Sequence, residues 1–358
     1  MKKIIKTVLM LLLAVVVVVV GYFAYVLVDY HREGSHDIEV QSYKTPTSIG
    51  AQVGHKYTIG SYNIGFGAYT DDYGFFMDGG TESRAVSEEK CIENLQNIAA
   101  VLHGLNSDFT FVQEVDTNST RSYHIDQREY VKQGLENTYY TFALNYDSPY
   151  LFYPISKPIG KSVSGVMTFS SYNMSDASRV ELPIETSLYK LLDLDRCYSK
   201  QYVKLENSTK KLVLMNFHLS AYTSDGTIAN EQLQLVLNDM KAEYEAGNYV
   251  IAGGDFNKDI LGDSSVYFGK SDIEYTWAQP VPMDMINAAG MHLEAPLDTA
   301  HPVPSCRNAD GPYHPGQFVL TIDGFLTSPN ITVHSSRVVD EGFRYSDHNP
   351  VTMSFTLN

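Results

Sequence analysis

The stretch Val250-Ile251-Ala252-Gly253-Gly254-Asp255-Phe256-Asn257 constrains this chain more than any other. Its apolar start is too short for a helix and runs into a glycine pair, the pattern of a buried strand stopped by a turn. Asp255 and Asn257 follow two positions apart, a spacing that points both side chains to one side of an extended segment. A carboxylate that can take a proton, beside an amide that can hold an oxygen, suits the activation of water at a phosphate. Alone, the stretch is more readily an ordinary Gly-Asp-Asn turn. It is not alone, because the same apolar-then-polar pattern recurs at five other places.

The first thirty residues stand apart. Lys2, Lys3 and Lys6 precede an uncharged run from Thr7 to Val28, long enough to cross a bilayer as a helix. The run exceeds the apolar core of a cleavable signal peptide and lacks its small-x-small site. Tyr22, Phe23 and Tyr25 near its end suit the interfacial belt, and lysines before the span place the N-terminus in the cytoplasm. The expectation is a signal anchor over 1–30, a polar tether over 31–56 and a catalytic domain over 57–358 outside the cell membrane.

The chain carries 26 Lys+Arg against 42 Asp+Glu, a formal net charge of −16. The part beyond the anchor is two charges more negative, since three lysines and Asp29 stay behind. Such a charge repels polyanions and weighs against tight, sequence-blind binding of nucleic acid. A few local cations with a metal ion can still seat one phosphate. Three cysteines are too few for a disulfide scaffold. Cys91 falls within a helical pattern, and Cys197 with Cys306 could pair in an oxidising compartment.

Along the domain, Lys56 to Ile64 reads as a strand ending at Asn63, and a Gly- and aromatic-rich loop follows from Gly65 to Gly80. Ser87 is a plausible N-cap for a helix whose apolar residues run Ile92, Leu95, Ile98, Ala99, Leu102. The strand Asp108 to Asp116 ends its apolar body at Glu114, a residue poorly suited to a strand interior. Residues 121–160 read as irregular surface, too long for a plain connection. Lys161 to Ser170 is another strand, and Leu192 to Leu205 with Lys211 to His218 forms a hairpin around Asn207-Ser208-Thr209. A helix over Glu231 to Tyr244 leads into the Gly-Asp-Phe-Asn strand. Phe318 to Leu326, carrying Asp323, and Arg344 to Pro350, before a last strand from Val351 to Thr356, complete the set. Alternating strands and helices without a Pro-, Gly- or Ser-rich linker indicate one α/β domain. Its strand-end rim would collect Asn63, Glu114, His218, Asp255, Asn257, Asp323, Asp347 and His348.

The ordered set Tyr62-Asn63, Gln113-Glu114, Asn216-x-His218, Gly254-Asp255-Phe256-Asn257, Ile322-Asp323 and Ser346-Asp347-His348-Asn349-Pro350-Val351 resembles the endonuclease/exonuclease/phosphatase superfamily. That family includes pancreatic-type deoxyribonuclease, abasic-site endonucleases, neutral sphingomyelinases and inositol polyphosphate 5-phosphatases. The resemblance implies a four-layer α/β sandwich of two packed mixed sheets flanked by helices. It implies Glu114 as principal ligand of a hard divalent cation, Mg²⁺ by preference with Mn²⁺ as a substitute, with Asn63 and Asp347 close by. Asp255 would deprotonate or orient water, Asn257 would fix the oxygens around it, and His348, oriented by Asp323, would donate to the phosphate with His218 opposite. Arg196 is the candidate phosphate contact, since a guanidinium grips two oxygens; a surface salt bridge is the alternative. Several family members carry a second acidic ligand soon after the strand-end Asn, whereas Ile64-Gly65-Phe66-Gly67 follows here, which favours one metal.

The implied activity is phosphoester hydrolysis by a membrane-anchored enzyme, acting on a lipid head group, a small phosphorylated metabolite or nucleic acid. An extracellular nuclease of the same fold is the alternative within that class. A non-catalytic surface module is the alternative outside it, and it would have lost a catalytic carboxylate or His. No protein partner is implied.

Overall fold

Strands that are apolar on both faces must be covered on both, and this chain covers them by stacking two sheets between helices. The computed structural model describes residues 1–30, 32–184, 195–221, 227–269 and 279–358. Helix α1 (Lys2–Asp29) comes first, then strands β1 (His36–Asp37), β2 (Gln41–Tyr43) and β3 (Lys56–Asn63). Helix α2 (Glu88–Leu105), β4 (Phe109–Asp116), α3 (Arg128–Gly134), β5 (Thr138–Asp147) and β6 (Val163–Ser170) follow. Next come β7 (Met174–Glu181), β8 (Cys197–Lys204), β9 (Lys211–His218), α4 (Thr227–Glu245) and β10 (Tyr249–Asp255). Helices α5 (Ser265–Phe268) and α6 (Met283–Ala289) precede β11 (His292–Glu294), β12 (Cys306–Arg307), β13 (Val319–Leu320), β14 (Asp323–Thr327), β15 (Ile331–Val338) and β16 (Val351–Leu357).

One seven-stranded sheet runs β1-β7-β8-β9-β10-β14-β11 and the other β15-β16-β3-β4-β6-β5-β2, with β12 and β13 as a separate ribbon. Both sheets are mixed, because β9 with β10 and β3 with β4 are parallel while their neighbours are antiparallel. Alternation along β10 shows how the layers form. Ile251 joins Phe111, Leu214, Phe325 and Phe355 between the sheets, while Val250 and Ala252 face Leu233, Val236, Leu237 and Met240 of α4. Each fully buried Val, Leu, Ile, Phe or Met side chain among them contributes about 1.5–3 kcal/mol. On the opposite outer face, Leu95, Ile98 and Leu102 of α2 pack on Tyr62, Val112 and Met167. The result is the expected four-layer α/β sandwich. Ser87 caps α2 through its Oγ, which accepts from Lys90 N–H at 3.2 Å.

Several segments differ from the sequence reading. Residues 121–160 contain α3 and the ten-residue strand β5, which pairs along most of its length with β6. Thr138, Tyr140 and Ala143 are buried there, so the aromatic run is strand-forming, and the prolines stand only beyond its end. Residues 31–56 do not hang free where described: β1 adds an edge to one sheet and β2 to the other. Phe318 to Leu326 is divided, with β13 in the ribbon and β14 in the main sheet. Strand β15 at a sheet edge and β7 next to one carry mixed polar and apolar residues, which hides their period. The first hairpin arm begins at Cys197, and residues 192–194 of its expected span lie outside the described residues. Cys91, Cys197 and Cys306 are all buried free thiols, so the Cys197–Cys306 pair does not form.

Candidate active site

Strand register assembles the site. Asp255 at the end of β10 pairs with His218 at the end of β9 and with Asp323 at the start of β14, so three site residues stand side by side on one sheet. From the other sheet, Asn63 ends β3 beside Gln113 of β4, and Asp347 and His348 immediately precede β16, which pairs with β3. Gln113 Nε2 donates to Asn216 Oδ1 at 2.8 Å, and Asn216 Nδ2 donates to the Met167 carbonyl at 2.8 Å, which ties the two sheets beneath the site. Gly254 has φ +131°, and a Cβ there would sit 2.1 Å from the Phe217 carbonyl oxygen. Only glycine permits that approach, and it sets the exit direction of Asp255.

Glu114 reaches the site through a break in strand order. The β4–β6 register shifts between Val112 and Val115, and Glu114 adopts φ +57°. A bulge of this kind re-aims a side chain that ordinary alternation would bury elsewhere. Left-handed backbone at a non-glycine residue costs about 1–3 kcal/mol and collects at functional sites. Asn257, with φ +48°, is another such position in the site.

The carboxylates, imidazoles and amide form one network. Asp323 Oδ2 lies 2.8 Å from His348 Nδ1 and also accepts from Ser305 Oγ at 2.7 Å. His348 Nε2 lies 3.6 Å from Asp255 Oδ2, and His218 Nε2 lies 3.5 Å from the same oxygen. Asn63 Nδ2 donates to Asp255 Oδ2 at 3.0 Å and to Glu114 Oε1 at 3.3 Å. Asp255 Oδ1 accepts from Asn257 N–H at 2.8 Å, and Asn257 Nδ2 donates to the Leu219 carbonyl at 2.7 Å. Asn257 therefore braces the Asp255 turn. One of its two amide N–H groups is held by backbone, and the side chain lines the cleft.

Burial dominates the electrostatics. It pushes the Asp255 carboxyl up to about 7, against the lowering effect of His348. It also raises Glu114, with Arg121 opposing and the Asp347 charge adding to the rise, and it raises Asp347. Burial drives His218 well below the ordinary histidine value, helped by the Arg196 charge, so this ring is neutral. For His348, burial works against the proton, but the Asp323 carboxylate and its acidic neighbours outweigh it and hold the ring protonated. The two histidines flanking Asp255 thus stand in opposite charge states.

Glu114, Arg196, His218, Asp255, Asn257, Asp347 and His348 line one cleft, while Asn63 and Asp323 are buried behind it. Arg196 borders the cleft and donates from Nη1 to the His218 carbonyl at 3.3 Å. The sequence reading missed Arg121, whose guanidinium grips Asp116 at 2.9 and 3.1 Å, lies 3.9 Å from Glu114 Oε2 and stacks 3.9 Å from the centroid of Phe66. Its signal was Asp116, two residues after Glu114 at a strand end. Cys306 was also missed. Its Sγ is 3.7 Å from His348 Nε2, and burial pushes the thiol up to about 12, so it remains protonated.

The donor set fits a hard cation. Glu114 and Asp347 are half-buried carboxylates facing one cleft, both driven towards protonation, and a divalent ion would stabilise their charged forms with oxygen ligands. Asn63 fits less well as a ligand, because its Oδ1 accepts from Gly65 N–H at 3.0 Å and its Nδ2 faces the carboxylates. It is placed as a donor. Asp255, Asp323 and His348 also lie close enough together to cage an ion, yet the 2.8 Å contact between Nδ1 and Oδ2 places a proton between two of them. After Asn63, Ile64 is buried in the core and Phe66 supports Arg121, so neither supplies an acidic ligand.

Among solved structures, the chain is similar in fold to an endonuclease/exonuclease/phosphatase from Beutenbergia cavernae, at TM-score 0.56 and 19% identity, covering 85% of this chain and 72% of that one. It is also similar to ANGEL2, a 2',3'-cyclic phosphatase, in complex with adenosine-2',3'-vanadate, at TM-score 0.54 and 15% identity, covering 89% and 99%. The human Nocturnin catalytic domain with bound sulfate gives TM-score 0.52 at 14% identity, covering 90% and 97%. No curated protein matches the sequence. The model of the endonuclease/exonuclease/phosphatase family matches residues 60–348, most of the chain and every strand end that contributes to the cleft, and the protein belongs to that family.

Proposed function

We propose that the protein is a membrane-anchored, extracytoplasmic phosphoester hydrolase, dependent on Mg²⁺, that attacks phosphorus with water activated at Asp255. The observation that carries this reading is the pair of contacts from Asp255 Oδ2 to a neutral and a protonated imidazole, 3.5 and 3.6 Å away. A buried carboxyl titrating near neutrality is matched to removing a proton from water. Asn63, donating to the same oxygen, holds the carboxylate in place. His348, held protonated and oriented by Asp323, donates from Nε2 to a phosphoryl or leaving oxygen, and Arg121 and Arg196 add positive charge at the cleft. A divalent cation held by Glu114 and Asp347 would polarise a phosphoryl oxygen and offset charge on the leaving group. Helix α1, with mean hydropathy 2.9 and no buried residue in its most apolar window, supports the anchor.

An extracellular nuclease is the second reading, favoured by the half-exposed Tyr146 in the cleft, an aromatic ring of the kind that stacks on bases. Full-length protein with Mg²⁺, screened against DNA, RNA, phospholipids, inositol phosphates and aryl phosphodiesters, separates the two. Hydrolysis of none would defeat both.

The charge states carry a pH signature. Asp255 must lose its proton to act, so kcat/KM should rise tenfold per pH unit on the acid side and level off near about 7. His348 must keep its proton, so the rate should fall again on the alkaline side. Profiles at saturating Mg²⁺ test both limbs. A rate that is flat through neutrality would remove Asp255 from the role of base.

A further inference from the structure

Helix α1 does not leave the domain at random. Tyr22 Oη donates to the Tyr150 carbonyl at 3.1 Å, Tyr25 Oη accepts from Tyr150 N–H at 3.1 Å, and the Tyr22 and Phe152 rings meet edge-on at 5.3 Å. Val26 is buried, and Asp29 pairs with Lys161 at 3.6 Å. Just beyond the helix, Arg179, itself fully buried, donates to the Gly34 carbonyl at 3.1 Å. The C-terminal end of the helix is therefore docked on the segment 148–162, which joins β5 to β6.

That segment lies at the site end of its sheet. Strand β6 runs antiparallel to β4 with Ser164 opposite Asp116, so its start stands beside the strand end that delivers Glu114. Ile159 of the segment and Tyr146 just before it line the cleft. Phe152, Tyr153 and Ile155 are 57%, 67% and 89% exposed, an apolar cluster continuous with the aromatic end of α1. Tyr153 also packs its ring 5.5 Å from that of Phe76, outside the cleft lining. Exposed aromatic and branched apolar side chains beside the end of an apolar helix suit the headgroup layer of a bilayer.

We propose that the Phe152-Tyr153-Ile155 rim lies in the lipid headgroup layer and presents the active-site cleft to phosphoesters carried by membrane lipids. This rests on the hydrolase reading and on α1 spanning the membrane. The occupant of the rim is the bilayer that holds the helix, because the two apolar surfaces are continuous and share one end of the domain. A lipid headgroup then meets the cleft without leaving its membrane, with its phosphoester delivered to the rim where Ile159 and Tyr146 open onto Glu114.

The test uses full-length protein in phosphatidylcholine vesicles. Ile155→Trp is compared with its parent and with Val53→Trp, at an exposed position before β3, roughly 25 Å of strand away from the site end. Brominated phosphatidylcholine should quench the emission added by Ile155→Trp about twofold or more and leave that added by Val53→Trp unchanged. Unquenched emission from the Ile155→Trp variant overturns the docking, whether it is red-shifted in water or blue-shifted under a second copy of the chain. In the second arm, the triple variant F152S/Y153S/I155S should lose about tenfold or more on vesicles of sphingomyelin, phosphatidylcholine and phosphoinositide. It should keep its rate on soluble bis(p-nitrophenyl) phosphate. Equal rates on vesicles with and without the rim would overturn the lipid assignment. Quenching needs no turnover, so a quenched but inactive protein keeps the docking and refutes the hydrolase reading.

Discussion

Glu114→Gln is expected to lower turnover by on the order of 10³-fold and to weaken Mg²⁺ binding, with the fold intact. The substitution keeps the shape of the side chain and its contact with Asn63 but removes a charge that the structure already holds at a cost. Burial and the Asp347 charge both oppose ionisation of Glu114, and Arg121 at 3.9 Å only partly offsets them. Removing a half-buried like charge should leave thermal stability unchanged or raised, which separates a metal defect from a folding defect. Calorimetric Mg²⁺ titration beside a melting curve reads both. Near wild-type turnover would take Glu114 out of metal binding.

His348→Ala and Asp323→Asn are each expected to cost about 10²–10⁴-fold in kcat/KM, and the double variant little more than the worse single. The 2.8 Å contact fixes which ring nitrogen carries its proton towards Asp323 and holds the imidazole charged. Without that carboxylate the histidine pKa falls, so in Asp323→Asn the alkaline limb should also move to lower pH. Ser305, whose Oγ donates to the same Asp323 oxygen, remains to hold the Asn in place. Multiplicative losses, or an unmoved alkaline limb, would show that the two residues act separately.

How legible each site residue was in the sequence depends on how it reaches the cleft. Asn63, His218 and Asp255 end strands whose apolar bodies are unbroken, so the polar residue stands out and its placement comes from register. Glu114 also stood out, although its position depends on a bulge that period-two alternation does not announce. Arg121 escaped notice because its partner Asp116, five positions earlier, is found only once the chain folds back. Strand β5 was hidden by tyrosines read together with the prolines beyond them, and β1 and β2 by their polar edge positions. The docking of α1 on Tyr150 and Phe152 pairs residues more than a hundred positions apart, a contact that periodicity cannot express.

The most direct test of the hydrolase reading is hydrolysis of bis(p-nitrophenyl) phosphate, or of a lipid phosphoester from the screen, in ¹⁸O-labelled water by wild-type protein and Asp255→Asn. Attack of activated water on phosphorus places the label in the phosphoryl product, requires added Mg²⁺, and is slowed about 10²–10⁴-fold in the variant. Label recovered in the alcohol, hydrolysis indifferent to Mg²⁺, or a variant as fast as wild type would contradict it.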